Sequence, residues 1–160
     1  MKENPLGELH DTIIQHAYAC ADDFGFKNYT LSMLNLWINV NKKGNSNAAH
    51  THPGAVLSGV YYLSLPSCCY GNLIFQRNPV DQHLRESWGC SDNFDRYNDL
   101  LADEYDIYPE EDRLIIFPSW LTHRVDPSAG DGERISISFN IVAHSNFYHE
   151  IYPKGRDNRE

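Results

Sequence analysis

The chain has 160 residues, 41% of them hydrophobic and 22% charged, with 22 acids against 13 bases and a net charge of −9. That length buries a sizeable core, and the composition excludes a chain disordered throughout. No apolar run approaches the ~18 residues of a membrane-spanning helix, and the acidic balance is the reverse of what phosphate neutralisation needs, so neither a membrane nor a nucleic acid is an expected partner.

In chain order, residues 5–21 predict a helix. Leu6, Leu9, Ile13, Ile14 and Ala17 recur at three- and four-residue spacing, and Pro5 stands where a first-turn proline is tolerated. From Thr30 the period changes. LSMLNLWINV alternates apolar and polar residues and predicts a strand. NKKGNSNAA is polar and reads as a loop. VLSGVYYLSL is rich in β-branched and aromatic residues and ends at Pro66; GNLIFQ is a short strand opened by Gly71; RLIIF is a short apolar run closed by Pro118. ERISISFNIVA alternates strictly. Ile135, Ile137, Phe139 and Ile141 share one face; Arg134, Ser136, Ser138 and Asn140 share the other. One leading helix followed by many short strands punctuated by Gly and Pro predicts an all-β sandwich or jelly roll, with the helix packed on its outer face.

The organisation expected is a single domain over 1–160, with a core of about 30–142, an acidic insertion of about 78–112 and a mobile tail of about 153–160. Between Ser91 and Asp112 nine acids face one base, Arg96, for a local charge of −8. NFDRYNDLLADEY, capped by Ser91 or Asp92, predicts a short acidic helix there. Trp88, Phe94, Tyr97, Tyr105 and Tyr108 give the segment aromatics with which to cover a site entrance. Four cysteines, Cys20, Cys68, Cys69 and Cys90, lack metal-type CxxC spacing, and the adjacent pair is poorly disposed for a disulfide. The first residues lack the apolar core of a signal peptide. Free thiols in a reducing cytoplasm are the expectation.

The residues suited to chemistry fall in three places. His50 and His52 form an HxH pair, and residues i and i+2 of a strand point the same way, so both imidazoles can reach one ion. His123 follows the RLIIF strand and completes a candidate catalytic and metal-ligating set. His10, His16, His83, His144 and His149 have no such spacing and read as surface or hydrogen-bonded imidazoles. Eleven residues after His123 comes Arg134, on the polar face of the last strand beside Ser136 and Ser138. An inward arginine is unfavourable unless an anion meets it, and a planar guanidinium suits a carboxylate.

HTHPGAVLSGVYYL, GNLIF, RLIIFPSWLTHRV and ERISISFN together resemble the iron(II)- and 2-oxoglutarate-dependent oxygenases, over Leu31 to Val142. The nearest likeness is to small bacterial and phage-type members with an HxHP…SGVYYL signature. The resemblance implies a double-stranded β-helix, Fe(II), 2-oxoglutarate as co-substrate and O2. It implies that His50 is the first metal ligand, His123 the distal ligand, and Arg134 the arginine for the far carboxylate of 2-oxoglutarate. Ser136 matches a hydroxyl two residues further on, Tyr62 matches a carboxylate-holding tyrosine of related prolyl hydroxylases, and Asn39 is a further co-substrate candidate.

His52 departs from that pattern, which has Asp or Glu in its place. No Asp or Glu lies between Asp23 and Asp81, so a third neutral imidazole is the expected ligand. That substitution raises the charge of a loaded site by one unit and weakens Fe(II) binding until an anionic co-ligand joins. Three-histidine iron also occurs in cupin-type thiol dioxygenases. Gly44, five residues, then His50-x-His52 fits part of their first motif, but its later glutamate is missing and Val56 and Leu57 are apolar. Arg134 favours the oxygenase. The expected activity is hydroxylation of an amino-acid side chain or small molecule. The alternatives are a cupin-like dioxygenase that does not use 2-oxoglutarate and a non-catalytic metal-binding jelly roll. A small-molecule or peptide substrate and a homodimer are the partners such a fold admits.

Overall fold

The computed structural model describes residues 5–68, 70–78 and 102–145. Among the described residues, one helix, α1 (Pro5–Asp23), precedes eight strands: β1 (Tyr29–Asn41), β2 (Asn47–His50), β3 (Leu57–Ser64), β4 (Leu73–Gln76), β5 (Glu104–Ile107), β6 (Leu114–Pro118), β7 (His123–Val125) and β8 (Arg134–Ser145). They form two four-stranded antiparallel sheets, ordered β1-β8-β3-β6 and β2-β7-β4-β5. This is the jelly roll that the strand pattern predicts.

The two faces of β8 explain the layering. Phe139 and Ile141 pack with Leu31 and Leu57 against Ile13, Ala17 and Ala21 of α1, all buried. The three helix residues recur every fourth position and so form one stripe. The Leu31 N–H donates to the Tyr18 hydroxyl and ties the helix to β1. Gly59 lies opposite Phe139 in the β3–β8 register, and a Cβ there would collide with the Phe139 ring. The other face of β8, with Arg134, Ser136 and Ser138, turns inward with Asn39 and Asn41 of β1 and Val60 and Tyr62 of β3.

Helix α1 ends in a Schellman motif. Gly25 takes a left-handed φ of 72°, its N–H donates to the Asp22 carbonyl, and the Phe26 N–H donates to the Ala21 carbonyl. Phe24 and Phe26 are thereby held on either side of a fixed turn.

Three strands correct the sequence expectations. Asn47–Ala49, read as loop, belongs to β2. Its residues are exposed and none carries a large apolar side chain, so no apolar alternation marks it, and it exists because it pairs with β7, far along the chain. His123 opens β7 for the same reason. Glu104 and Tyr105, placed in an acidic helix by the sequence pattern, lie in β5, which pairs with β4. Glu104 accepts from Arg124 of β7 at 2.6 Å and from Gln76 of β4 at 2.9 Å, so an acidic residue here serves the sheet. Ala102 and Asp103 precede β5 outside any helix; the part of that helix up to Leu101, with Cys69, Cys90, Trp88, Phe94, Tyr97, His83, His149 and the tail at 153–160, lies outside the described residues. Among the described residues no helix is long and apolar enough to cross a membrane.

Candidate metal centre

His50 ends β2 and lies directly opposite His123 in the β2–β7 register. Adjacent antiparallel strands therefore bring the two rings to 4.4 Å between centroids. His52 reaches them by another route than strand alternation, because β2 stops at His50. The chain turns back through Gly54 (φ 89°), and the His52 N–H donates to the Ser119 carbonyl at 2.9 Å. Ser119 holds the same loop twice more, through its hydroxyl to the Ala55 carbonyl and its N–H to the Val56 carbonyl. So fixed, the His52 ring stands 4.9 Å from His50 and 5.0 Å from His123.

One ligand nitrogen from each of the three lies within 4.8 Å of the other two. The His52 and His123 Nε2 atoms are 3.2 Å apart, close to the roughly 3 Å separation of two imidazole nitrogens that share an ion at ~2.1 Å. The outer nitrogens are fixed by the backbone. Nδ1 of His50 lies 2.7 Å from the Ala48 carbonyl and Nδ1 of His123 lies 2.9 Å from the Leu121 carbonyl. A carbonyl only accepts, so each Nδ1 carries the proton and each Nε2 presents its lone pair inward. His123 is buried, edge-on to Phe117. Burial, with His50 and His52 adding to it against an opposing hydrogen bond to the Leu121 carbonyl, pulls its pKa down to about 4. Burial, then His50, lowers that of His52 as well. His52 and His123 are thereby favoured in the neutral state, the one that ligates a metal. The His123 Nε2 lone pair faces the His52 Nε2 atom at 3.2 Å, and three imidazole nitrogens converging within 4.8 Å are a donor set that fits a divalent metal.

Arg134 opens β8 opposite Asn41 and is 3% exposed. Its Nη1 donates to the Gly71 carbonyl at 2.7 Å and its Nη2 to Asn41 Oδ1 at 3.1 Å, while the buried Nε–H has no partner. Gly71 is required there, since a Cβ would run into the Asp126 carbonyl. Among the described residues no carboxylate forms an ion pair with Arg134. Burial lowers its pKa, and the nearby Tyr62 opposes that. Burial likewise raises the pKa of Tyr62. A buried cation with one idle donor fits a carboxylate ligand.

All seven residues singled out in the sequence, Asn39, His50, His52, Tyr62, His123, Arg134 and Ser136, line one cavity of about 70 Å³. Asn39 is already engaged, accepting from the Trp37 indole and donating to the Ser138 hydroxyl. The sequence reading missed Asn41 and Trp37. Both share the inward face of β1 with Asn39, and that strand's alternation is the signal that could have found them. No residue from 102–112, the described end of the acidic insertion, lines this cavity.

A family model described as "Putative 2OG-Fe(II) oxygenase" matches residues 35–140. Among solved structures, the fold is similar to an oxidoreductase of the 2OG-Fe(II) oxygenase family from Burkholderia pseudomallei (TM-score 0.54, 13% identity, covering 72% of this chain and 47% of that one). It is also similar to HygX from Streptomyces hygroscopicus with nickel and 2-oxoglutarate bound (0.53, 11%, 82% and 66%). A third is SnoN, a non-heme alpha-ketoglutarate-dependent epimerase of nogalamycin biosynthesis (0.51, 15%, 81% and 57%). The chain thus spans about half the length of the Burkholderia protein. At these identities the likeness shows the fold alone. No curated protein matches the chain in sequence.

Proposed function

The chain belongs to the 2OG-Fe(II) oxygenase family, whose cofactors are Fe(II) and 2-oxoglutarate, and from that premise we propose that it is a hydroxylase using a three-histidine iron centre. His50, His52 and His123 are the metal ligands in this reading. Arg134 receives the far carboxylate of 2-oxoglutarate, assisted by Tyr62 and Ser136, with Asn39 in the cavity wall. Fe(II) with O2 supplies the oxidative decarboxylation of 2-oxoglutarate to succinate and carbon dioxide and the oxidant that takes a hydrogen from the substrate.

The protein's own contribution is positional. The Ala48 and Leu121 carbonyls hold two imidazoles in the ligating tautomer. The Arg134 Nε–H, idle and buried, gains a partner when a carboxylate enters, and that gain orients the co-substrate. The Phe117 ring against His123 keeps water from one side of the centre.

The observation that carries this reading is the orphaned guanidinium donor in the same cavity as the three convergent imidazoles. The imidazoles alone suit a cupin-type dioxygenase equally well; Arg134 separates the two. Calorimetric titration of 2-oxoglutarate into Mn(II)-loaded protein tests it, with 2-oxoglutarate-dependent succinate release as the second readout. Saturable binding together with succinate release is expected. Oxygen uptake that ignores 2-oxoglutarate would select the cupin reading, and metal binding without any turnover a non-catalytic site.

A further inference from the structure

His52 has a second room on its other side. An apolar groove of about 440 Å³ runs beside it. Phe24 and Phe26 lie on α1's terminal turn, Trp120 on the turn between β6 and β7, and Pro53, Val56 and Pro118 also line it. These walls are fixed although they are exposed. The Schellman turn sets Phe24 and Phe26, whose rings are 6.2 Å apart, and Phe26 is seated edge-on to Tyr29. Ser119, bonded three times to the histidine loop, sets the residue after it, and the Leu121 N–H donates to the Pro118 carbonyl. Yet Trp120 is 71% exposed, Phe24 52% and Phe26 39%. Three large aromatic side chains held in water around one groove are an unfilled binding surface rather than core.

Two observations choose the occupant. Among the described residues, no ionisable side chain apart from His52 lines the groove; Thr51 and Ser119 are the other polar members. A charged group seated there loses water without gaining a partner, so the occupant is uncharged. The groove also borders the metal centre, because His52 belongs to the lining of both. We infer that this groove is the subsite for the uncharged, ring-bearing part of the prime substrate, seated between Trp120 and the Phe24–Phe26 pair beside the metal. Facing aromatic walls reward a ring by offset or edge-on contact. The inference rests on the proposed oxygenase reading for what happens next to the groove, but the groove itself can be tested separately.

The probe is N-acetyl-phenylalaninamide, neutral and ring-bearing, with N-acetylglycinamide as its ring-free control. In the Mn(II)-loaded full chain with 2-oxoglutarate, paramagnetic broadening should fall on the ring protons of the first and spare the second. Trp120→Ala should weaken that binding by about tenfold or more, and Phe24→Ala should weaken it in the same direction. Broadening unchanged in Trp120→Ala, or equal for the ring-free control, overturns the proposal. In metal-free protein the Trp120 indole N–H resonance should shift on titration with the same probe. A shift there without Mn(II) uptake leaves the groove standing and removes the oxygenase reading. Mn(II) uptake with no response to the probe does the reverse. A dimer that dissociates in Trp120→Ala identifies a second copy as the occupant and also overturns it.

Discussion

The two rooms on either side of His52 are built by opposite rules. The inner one is smaller and less open, lined mainly from strands, and carries polar side chains that hydrogen-bond to neighbours or, like Arg134, keep a free donor. The outer one is wider, more open and apolar, and its exposed rings, Phe24, Phe26 and Trp120, come from turns. A buried polar group must be satisfied, so the inner room can suit only one charge pattern and shape. Apolar contact is non-directional, so the outer room can exchange one ring for another. An enzyme with a constant co-substrate and a particular prime substrate needs one room of each kind.

The largest effect should come from the wall's inner side. His123→Ala removes a buried imidazole whose Nε2 faces His52, and it should lower Mn(II) or Co(II) affinity by more than ~100-fold in calorimetry. Retained affinity would place the metal elsewhere and dissolve the comparison. Arg134→Lys keeps the charge and loses the fork. It should weaken 2-oxoglutarate binding by about 1–3 kcal/mol while leaving metal affinity unchanged. Equal 2-oxoglutarate affinity in wild type and variant would remove the inner room's assigned occupant.

His52→Asp sharpens the contrast. The described residues lining the inner room include no Asp or Glu, so a divalent ion entering it meets only neutral ligands and the Arg134 cation. An aspartate at 52 supplies the missing negative charge. Metal affinity measured without 2-oxoglutarate should rise by about tenfold, equivalent to about 1.4 kcal/mol, and depend less on the co-substrate. A fall would show a centre shaped for three imidazoles.

The two rooms also differ in how far the sequence announces them. The inner room is legible because strands β1, β3 and β8 alternate, and alternation by itself puts Asn39, Tyr62, Arg134 and Ser136 on the inward faces of their strands. His50 and His52 read as a pair on the premise of a strand, whereas a turn through Gly54 and the Ser119 carbonyl is what brings them together. Strands β2, β5 and β7 are three or four residues long and exist by pairing with distant partners, which no local pattern records. The outer room is illegible for a stronger reason. Phe24, Phe26 and Trp120 come from two separate turns, and in sequence an exposed aromatic looks the same as a core one. The acidic run shows the same limit: Glu104 bonds to Arg124 in a sheet, and the residues of 102–112 line neither room.

The smallest effect expected is the one that most cleanly separates binding from folding. Trp120 buries little of its ring, while its backbone neighbours carry the hydrogen bonds that hold the turn. Removing an exposed side chain that leaves those bonds intact changes stability by no more than about 0.5 kcal/mol. Trp120→Ala should therefore unfold at nearly the wild-type temperature and take up metal and 2-oxoglutarate as the wild type does, even as it loses the ring-bearing probe. Gly59→Ala provides the contrast, because its added methyl meets the Phe139 ring in the packed layer under α1 and should cost about 1–3 kcal/mol. If thermal denaturation gave Trp120→Ala a loss of the Gly59→Ala size, the indole would be part of the fold's cover. The outer room would then be a seam between elements, with no vacancy for a substrate.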